Sequence, residues 1–157
     1  KIVFDCATCL DTVSNYEGVE KEKLVYFTDF YKSKKLSLKE KTKITFHKPC
    51  HLSEEKFLEI EEILKNIENL EYVRMEEAFE CCGFGGDFFT RHMKTASVLS
   101  KKKIENACKT GADIILTSCP TCLWSLKYGI KTLPKSMREK IKAYDISEFL
   151  QGNFFIS

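Results

Sequence analysis

Apolar positions along the chain fall into short continuous runs, separated by stretches in which they recur at helical spacing. Lys1–Asp5 (KIVFD) predicts a strand that runs into Cys6-Ala7-Thr8-Cys9, and Leu10 to Tyr16 behind it predicts a helix. Leu24 to Asp29 (LVYFTD) reads as a second strand, with Phe30-Tyr31 opening a short helical turn. Ile44 to His47 predicts a strand that ends at Pro49-Cys50-His51. Ser53 suits a helix N-cap, with Glu54 and Glu55 well placed in a first turn. Phe57, Ile60, Ile63, Leu64 and Ile67 then share one helix face. Glu71 to Met75 is the next expected strand, and Glu76–Glu80 leads from it into Cys81-Cys82-Gly83-Phe84-Gly85-Gly86. One long helix is expected over Asp87 to Lys109, with Met93, Ala96, Leu99, Ala107 and Cys108 inward and Gly111 at its C-cap. Ala112 to Leu116 is the apolar run of a buried parallel strand, ending at Cys119-Pro120-Thr121-Cys122. A helix over Leu123–Tyr128, a short helix over Ser136–Ile141, a strand over Lys142–Asp145 and a helix over Ile146–Leu150 complete the pattern.

Strands alternating with helices argue for βαβ units. The expected fold is α/β: a small parallel β-sheet flanked by helices, Rossmann-like and three-layered. One stretch interrupts the alternation. Lys32 to Lys43 carries six lysines and one glutamate. It reads as a solvated linker, the alternative being a partner-binding patch.

The chain also repeats itself. Ile2–Val13 (IVFDCATCLDTV) aligns with Ile115–Leu126 (ILTSCPTCLWSL), each a strand, a CxxC and a helix. Leu24–Lys34 aligns with Ile141–Gln151, each a strand, an Asp and a short helix. Cys6 and Asp29 are 23 residues apart, and Cys119 and Asp145 are 26 apart. Residues 1–43 are therefore expected to be the tail of a first repeat plus the lysine-rich linker, and residues 44–157 a complete second repeat.

Composition narrows the function. With 25 Lys+Arg against 23 Asp+Glu among 157 residues, the net charge of +2 gives no electrostatic reason to expect nucleic acid. No run of apolar residues is long enough for a transmembrane helix. The first residue is Lys1 and no signal-peptide pattern follows it, so a processed chain or a piece of a longer one is expected. Eight cysteines, at 6, 9, 50, 81, 82, 108, 119 and 122, are clustered rather than scattered. Clustered thiols in a chain rich in lysine and glutamate point to metal or redox chemistry and to a cytoplasmic location.

The complete repeat reads Cys50, 30 residues, Cys81-Cys82, 36 residues, Cys119, two residues, Cys122. Each group follows an expected strand. In an open parallel sheet the carboxyl ends of the strands share the edge where ligands bind, so the five thiols should converge there. Five thiols exceed what tetrahedral zinc needs and suit iron–sulfur chemistry. Adjacent Cys81 and Cys82 point apart and can ligate two neighbouring irons. Gly83, Gly85 and Gly86 let the backbone approach a bulky group and aim N–H groups at anionic sulfur. His51 beside Cys50 is read either as a group that tunes the cluster by hydrogen bonding or as a cap on the next helix. His47 is read as structural, His92 as surface, and Cys108, Trp124 and Leu126 as core. Phe88 and Phe89 either shield the site from water or anchor their helix.

These residues carry a resemblance. PCH at 49–51, CCGFGG at 81–86 and CPTC at 119–122 resemble the cysteine-rich CCG domain family, which includes the B-type subunit of heterodisulfide reductase and iron–sulfur subunits of glycolate and lactate dehydrogenases. The resemblance implies a non-cubane [4Fe–4S] cluster on Cys50, Cys81, Cys82, Cys119 and Cys122. It further implies electron transfer to a disulfide or hydroxy-acid couple, and partner subunits carrying flavin or ferredoxin-type iron–sulfur groups. Cys6 and Cys9 would be ligands belonging to the preceding copy; unligated, they would be free or form a strained disulfide. Two other readings stay open. One is a structural zinc site on Cys50, one of the CC pair, Cys119 and Cys122. The other is a CxxC thiol–disulfide oxidoreductase.

Overall fold

The computed structural model describes residues 1–152 and Phe155; the remaining residues of the expected 44–157 unit lie outside the described residues. The elements in order are β1 (Ile2–Phe4), α1 (Ala7–Ser14), β2 (Leu24–Tyr26), β3 (Ser37–Phe46), α2 (Glu54–Lys65), β4 (Glu68–Tyr72), α3 (Phe88–Arg91), α4 (Met93–Lys109), β5 (Ile114–Thr117), α5 (Pro120–Thr132), α6 (Lys135–Arg138), β6 (Lys142–Asp145) and α7 (Ile146–Gln151). Two 3-10 turns, Lys21–Lys23 and Phe27–Tyr31, flank β2.

The fold is α/β, as expected. A four-stranded sheet runs β4-β3-β5-β6 and a two-stranded sheet pairs β1 with β2. Every pair within these sheets is parallel. The β1–β2 pair, like the β5–β6 pair, is parallel. From β3 the chain goes outward to β4, then crosses back over β3 to β5. With the right-handed crossovers that parallel strands take, α2 and α4 fall on opposite faces of the sheet. The reversal of direction falls between β3 and β5, the position where open parallel sheets place ligands.

Where β3 and β5 pair with each other the residues are buried: Ile44, Thr45, Phe46, Ile115 and Leu116 have no exposure. On α2, Ser53 caps the helix by accepting from the Lys56 backbone N–H at 3.1 Å, and Phe57, Ile60, Ile63 and Leu64 face the core. Ile67 completes that row just beyond the helix. The inward face of α4 is Ala96, Ser100, Lys103, Ile104 and Ala107; Met93 is exposed, and Leu99 and Cys108 are half-buried. Gly111 follows the α4 C-cap with φ of 71°, a left-handed conformation that glycine adopts without strain.

Several boundaries depart from the sequence reading. Residues 37–43, expected as part of a solvated linker, are strand: β3 begins at Ser37. Only Leu38 is buried there, bridging Phe155, while Lys39, Glu40 and Lys41 are exposed, so one anchoring residue sufficed where composition suggested none. The register shifts between Ser37 and Thr42, which bends the strand at its charged segment. β4 spans Glu68–Tyr72 rather than 71–75, and Asn69 within it is left-handed, with φ of 64°. The strand expected through Asp29 ends at Tyr26, because the Asp29 carboxylate accepts the Tyr26 backbone N–H at 3.1 Å and starts a 3-10 turn. The long helix expected from Asp87 is broken at His92, whose φ of −129° and ψ of 45° are not helical. The helix after CPTC starts at Pro120, where the fixed φ of proline suits a first helical position.

A candidate metal centre at the carboxyl edge of the sheet

Three chain turns deliver the five cysteines. The turn after β3 carries Cys50; the loop after β4 carries Cys81 and Cys82; the turn after β5 carries Cys119, with Cys122 in the first turn of α5. The Lys48 backbone N–H donates to the Ala78 carbonyl at 3.2 Å, so the β4 loop folds back over the end of β3. Ser125 Oγ donates to the Cys82 carbonyl at 2.9 Å and ties that loop to α5. From the other side, α4 grips the same loop. Lys103 Nζ donates to the Glu77 carbonyl, and Asn106 Nδ2 donates to the Glu76 carbonyl at 3.2 Å and to Glu77 Oε2 at 2.9 Å. Glu77 itself is left-handed, with φ of 52°, and this clamp over-determines it.

At the centre, Cys82 and Cys122 place their Sγ atoms 3.4 Å apart. Cys82, Cys119 and Cys122 are all buried and pack with Phe84 and Ala96 in an apolar cluster separate from the main core. Cys50 and Cys81 are exposed at the rim and interact with each other. All eight cysteines are described and all are free thiols, so no disulfide joins Cys6 to Cys9.

The charges are distributed unevenly. Contact with the Cys122 sulfur draws Cys82 down to about 4 and Cys119 down to about 5, against the opposing effect of burial. Cys122 is pushed far above the ordinary thiol value by the same two contacts and by burial. Two buried thiolates around one thiol form a site that a cation would occupy favourably. Burial of its inner side pushes Cys50 up to about 11. Cys119 is also the residue immediately before α5, and the backbone N–H groups of Cys122 and Thr121 favour its thiolate.

Gly83 and Gly86 are left-handed, with φ of 77° and 57°, as the CCGFGG turn requires. At Gly83 space is also short: an added Cβ would lie 2.9 Å from Leu99 Cδ1. The Gly83 backbone N–H donates to Cys81 Sγ at 3.3 Å. Gly85 has open space around it. Phe84 stacks on Phe89 at 4.3 Å and meets Trp124 and Tyr128 edge-on or tilted at 5.3 and 5.4 Å, forming an aromatic wall beside Cys82 and Cys122. Trp124, expected in the core, is 53% exposed on the outside of this wall, whereas Leu126 is fully buried. Phe89 belongs to the wall and Phe88 does not; Phe88 packs on His92.

Cys6 and Cys9 approach from the β1–β2 unit. The Ala7 backbone N–H donates to the Ser118 carbonyl at 2.9 Å, docking the start of α1 on the end of β5. Thr8 Oγ1 lies 3.7 Å from Cys119 Sγ and 3.4 Å from His51 Nδ1. Cys6 is pushed up to about 11 by burial and interacts with Cys9 and Cys119. His51 is exposed and does not cap α2; Ser53 does. Cys108 is half-buried on α4, in the far wall of a small cavity with Ala112, Met137 and Ile141. A larger cavity of about 430 Å³, lined by Thr42, Leu70, Glu71 and Asp113 among others, contains no cysteine.

One residue of the site was not legible as such. His47 is fully buried, and one of its ring nitrogens lies within 4.8 Å of the sulfurs of Cys82 and Cys122. Neither ring nitrogen has a hydrogen-bond partner among the described residues. Burial, the largest influence on it, holds its pKa below the ordinary histidine value. A buried unpaired donor beside three buried thiols fits a sulfur-bound group at this place.

Over 110 residues the chain is 36% identical to the B subunit of the fumarate reductase (CoM/CoB) of Methanothermobacter marburgensis, a match that covers 69% of this chain and 22% of that protein. It is 30% identical over 148 residues to an uncharacterized iron-sulfur protein of Methanococcus maripaludis, covering 88% of this chain and 28% of that one. It is 29% identical over 131 residues to lactate utilization protein A of a Geobacillus species, covering 81% of this chain and 52% of that one. The chain therefore spans about a quarter of the first two relatives and about half of the third. The family model for the cysteine-rich CCG domain matches residues 44–127, the stretch that holds all five converging cysteines, and the chain belongs to that family.

Proposed function

We propose that this chain is an iron–sulfur-binding redox domain of an oxidoreductase. The observation that carries the reading is the meeting of five thiols from three turns at one sheet edge, with Cys82 and Cys122 3.4 Å apart inside an apolar shell. Cys50, Cys81, Cys82, Cys119 and Cys122 are the ligands, and thiolate sulfur is the donor iron–sulfur groups take. When bound, the cluster, of the non-cubane [4Fe–4S] type, supplies one-electron chemistry toward a disulfide or a hydroxy-acid couple. The residues of the chain do the rest. Gly83 aims a backbone N–H at Cys81 sulfur, the Phe84–Phe89 wall excludes water, and Lys103 with Asn106 holds the CC loop in register. His51 and the left-handed glycines frame the rim. Cys6 and Cys9 serve a neighbouring site completed by another copy of the motif. A relative named as a reductase subunit supports partner subunits, which on this reading carry flavin or ferredoxin-type groups.

The dithiol reading fits less well. Cys119 has the low pKa of a reactive thiol, but it is buried, as is Cys122. Anaerobic reconstitution with iron and sulfide, followed by metal and sulfide counts and EPR, tests the proposal. Bound iron with labile sulfide is expected, and loss of both in Cys82→Ser and Cys122→Ser. One zinc without labile sulfide, or neither iron nor sulfide in the parent chain, overturns it.

A further inference from the structure

His47 ends β3 in a fixed position: its backbone N–H donates to the Leu116 carbonyl at 2.8 Å, so the sheet ladder holds the Cα where the strand stops. The imidazole is enclosed on all sides and both nitrogens lack partners among the described residues. A buried N–H left unpaired is costly enough that such groups are rare. The atoms it faces are sulfurs, Cys82 and Cys122, both within 4.8 Å of one ring nitrogen. The nearby cation, Lys103, donates its Nζ to the Glu77 carbonyl. The other end of Cys82 is equally fixed, through its carbonyl to Ser125 Oγ. Each residue is thus tied at its own backbone, His47 by the sheet ladder and Cys82 by the Ser125 hydroxyl.

We propose that His47 is a positioning residue whose ring N–H donates to the Cys82 sulfur, orienting that ligand and raising the reduction potential of the iron–sulfur group it holds. The inference rests on the function proposed above. An N–H directed at a thiolate withdraws electron density from sulfur and favours the more negative, reduced state. Removing it makes reduction harder without removing a ligand.

The test compares three variants with the parent, each reconstituted anaerobically. His47→Phe keeps a planar ring and deletes the donor. His47→Asn and His47→Gln place an amide N–H near the Nδ1 or the Nε2 position. Iron and sulfide are counted, the midpoint potential is read by EPR-monitored titration, and the unfolding temperature of each metal-free chain checks folding. The parent and His47→Phe should hold equal iron and sulfide. At fixed ambient potential His47→Phe should show a reduced-to-oxidised ratio about tenfold lower, equivalent to about 59 mV for one electron. One of the two amide variants should recover most of that ratio and the other should not. If His47→Phe does not fold, the difference between the two amide variants carries the comparison.

Full occupancy with the same potential in all four proteins overturns the inference and leaves the iron–sulfur reading intact. ENDOR on chain labelled with ¹⁵N-histidine separates a remaining case: coupling of the size seen for a directly bonded nitrogen makes His47 a ligand and overturns the donor role. A parent chain holding no iron and no sulfide overturns the iron–sulfur reading, and the inference falls with it.

Discussion

Gly129 is where α5 lies closest to α4, and Gly129→Ala tests whether that contact is as tight as the structure has it. An added Cβ would lie 2.7 Å from Ile104 Cγ1, 2.7 Å from Ser100 Oγ and 2.9 Å from the Ser100 carbonyl oxygen. The first two atoms belong to side chains that can turn, but the third is backbone of a helix and can yield only if α4 and α5 separate. Overpacking of this kind costs about 1–3 kcal/mol. Turning Ser100 Oγ away also breaks its 2.7 Å donation to the Ser125 carbonyl, and a buried group left unpaired costs about 1–3 kcal/mol. Against these stands the helix preference for alanine over glycine, about 1 kcal/mol. The balance is a destabilisation of about 3 kcal/mol, and at about 2–4 °C per kcal/mol for a chain of this size Tm should fall by about 6–12 °C. Circular dichroism on the metal-free, reduced chain measures it. The double variant Ser100→Ala/Gly129→Ala relieves the hydroxyl overlap but not the carbonyl one, so relative to Ser100→Ala it should still be destabilised. A Tm for Gly129→Ala at or above that of the parent would refute the reasoning, since propensity alone would then decide the outcome.

Three further outcomes follow from the same contacts. Glu61 is buried, yet Arg74 and Tyr72 together outweigh the upward push of burial and hold its carboxyl below the ordinary 4.5, with Tyr72 Oη donating at 2.6 Å and Arg74 Nε at 2.7 Å. A lowered folded-state pKa adds stability above 4.5 that is lost as pH falls through the folded value, so Glu61→Gln should cost about 1–2 kcal/mol at neutral pH by denaturant unfolding, and the gap should close below that pH. A gap that is constant with pH would sink this account. Asn106→Ala removes two bonds to Glu76 and Glu77 and should cost about 1–2 kcal/mol while speeding release of bound iron to a chelator; unchanged release would mean that the clamp does not hold the CC loop. Cys108→Ala should leave the iron and sulfide counts at parent levels, and a drop in either would place Cys108 among the ligands.

Most of the architecture can be read from the chain because strand and helix periods differ and because the motifs punctuate them. Pro49-Cys50, the CCGFGG turn and CPTC each stop an apolar run, so the carboxyl ends of β3, β4 and β5 are marked along the chain itself. What local pattern could not reveal was decided by partners distant in sequence. Leu38 makes strand of a lysine-rich stretch because its side chain reaches the core and its backbone bridges Phe155, more than a hundred residues away. Trp124 follows a buried cysteine at a spacing that suggests core, yet it is placed outside Phe84 and Phe89, which occupy the inner positions.

His47 shows where sequence reasoning stops in the site itself. Along β3 it alternates with Phe46 and Ile44, and both faces of a central parallel strand are buried, so a histidine at that register looks like a core residue. Its significance depends on the sheet order. Because the chain reverses direction between β3 and β5, the end of β3 lies beside the end of β5, and the loop leaving β4 must return across both. That return brings Cys82 beside the imidazole, and the start of α5 brings Cys122 to the same place. The three groups are separated by 35 residues and by 40 residues in the chain, and no spacing rule connects them. The motif fixes which sulfurs arrive at the edge; the strand order fixes which nitrogen faces them there.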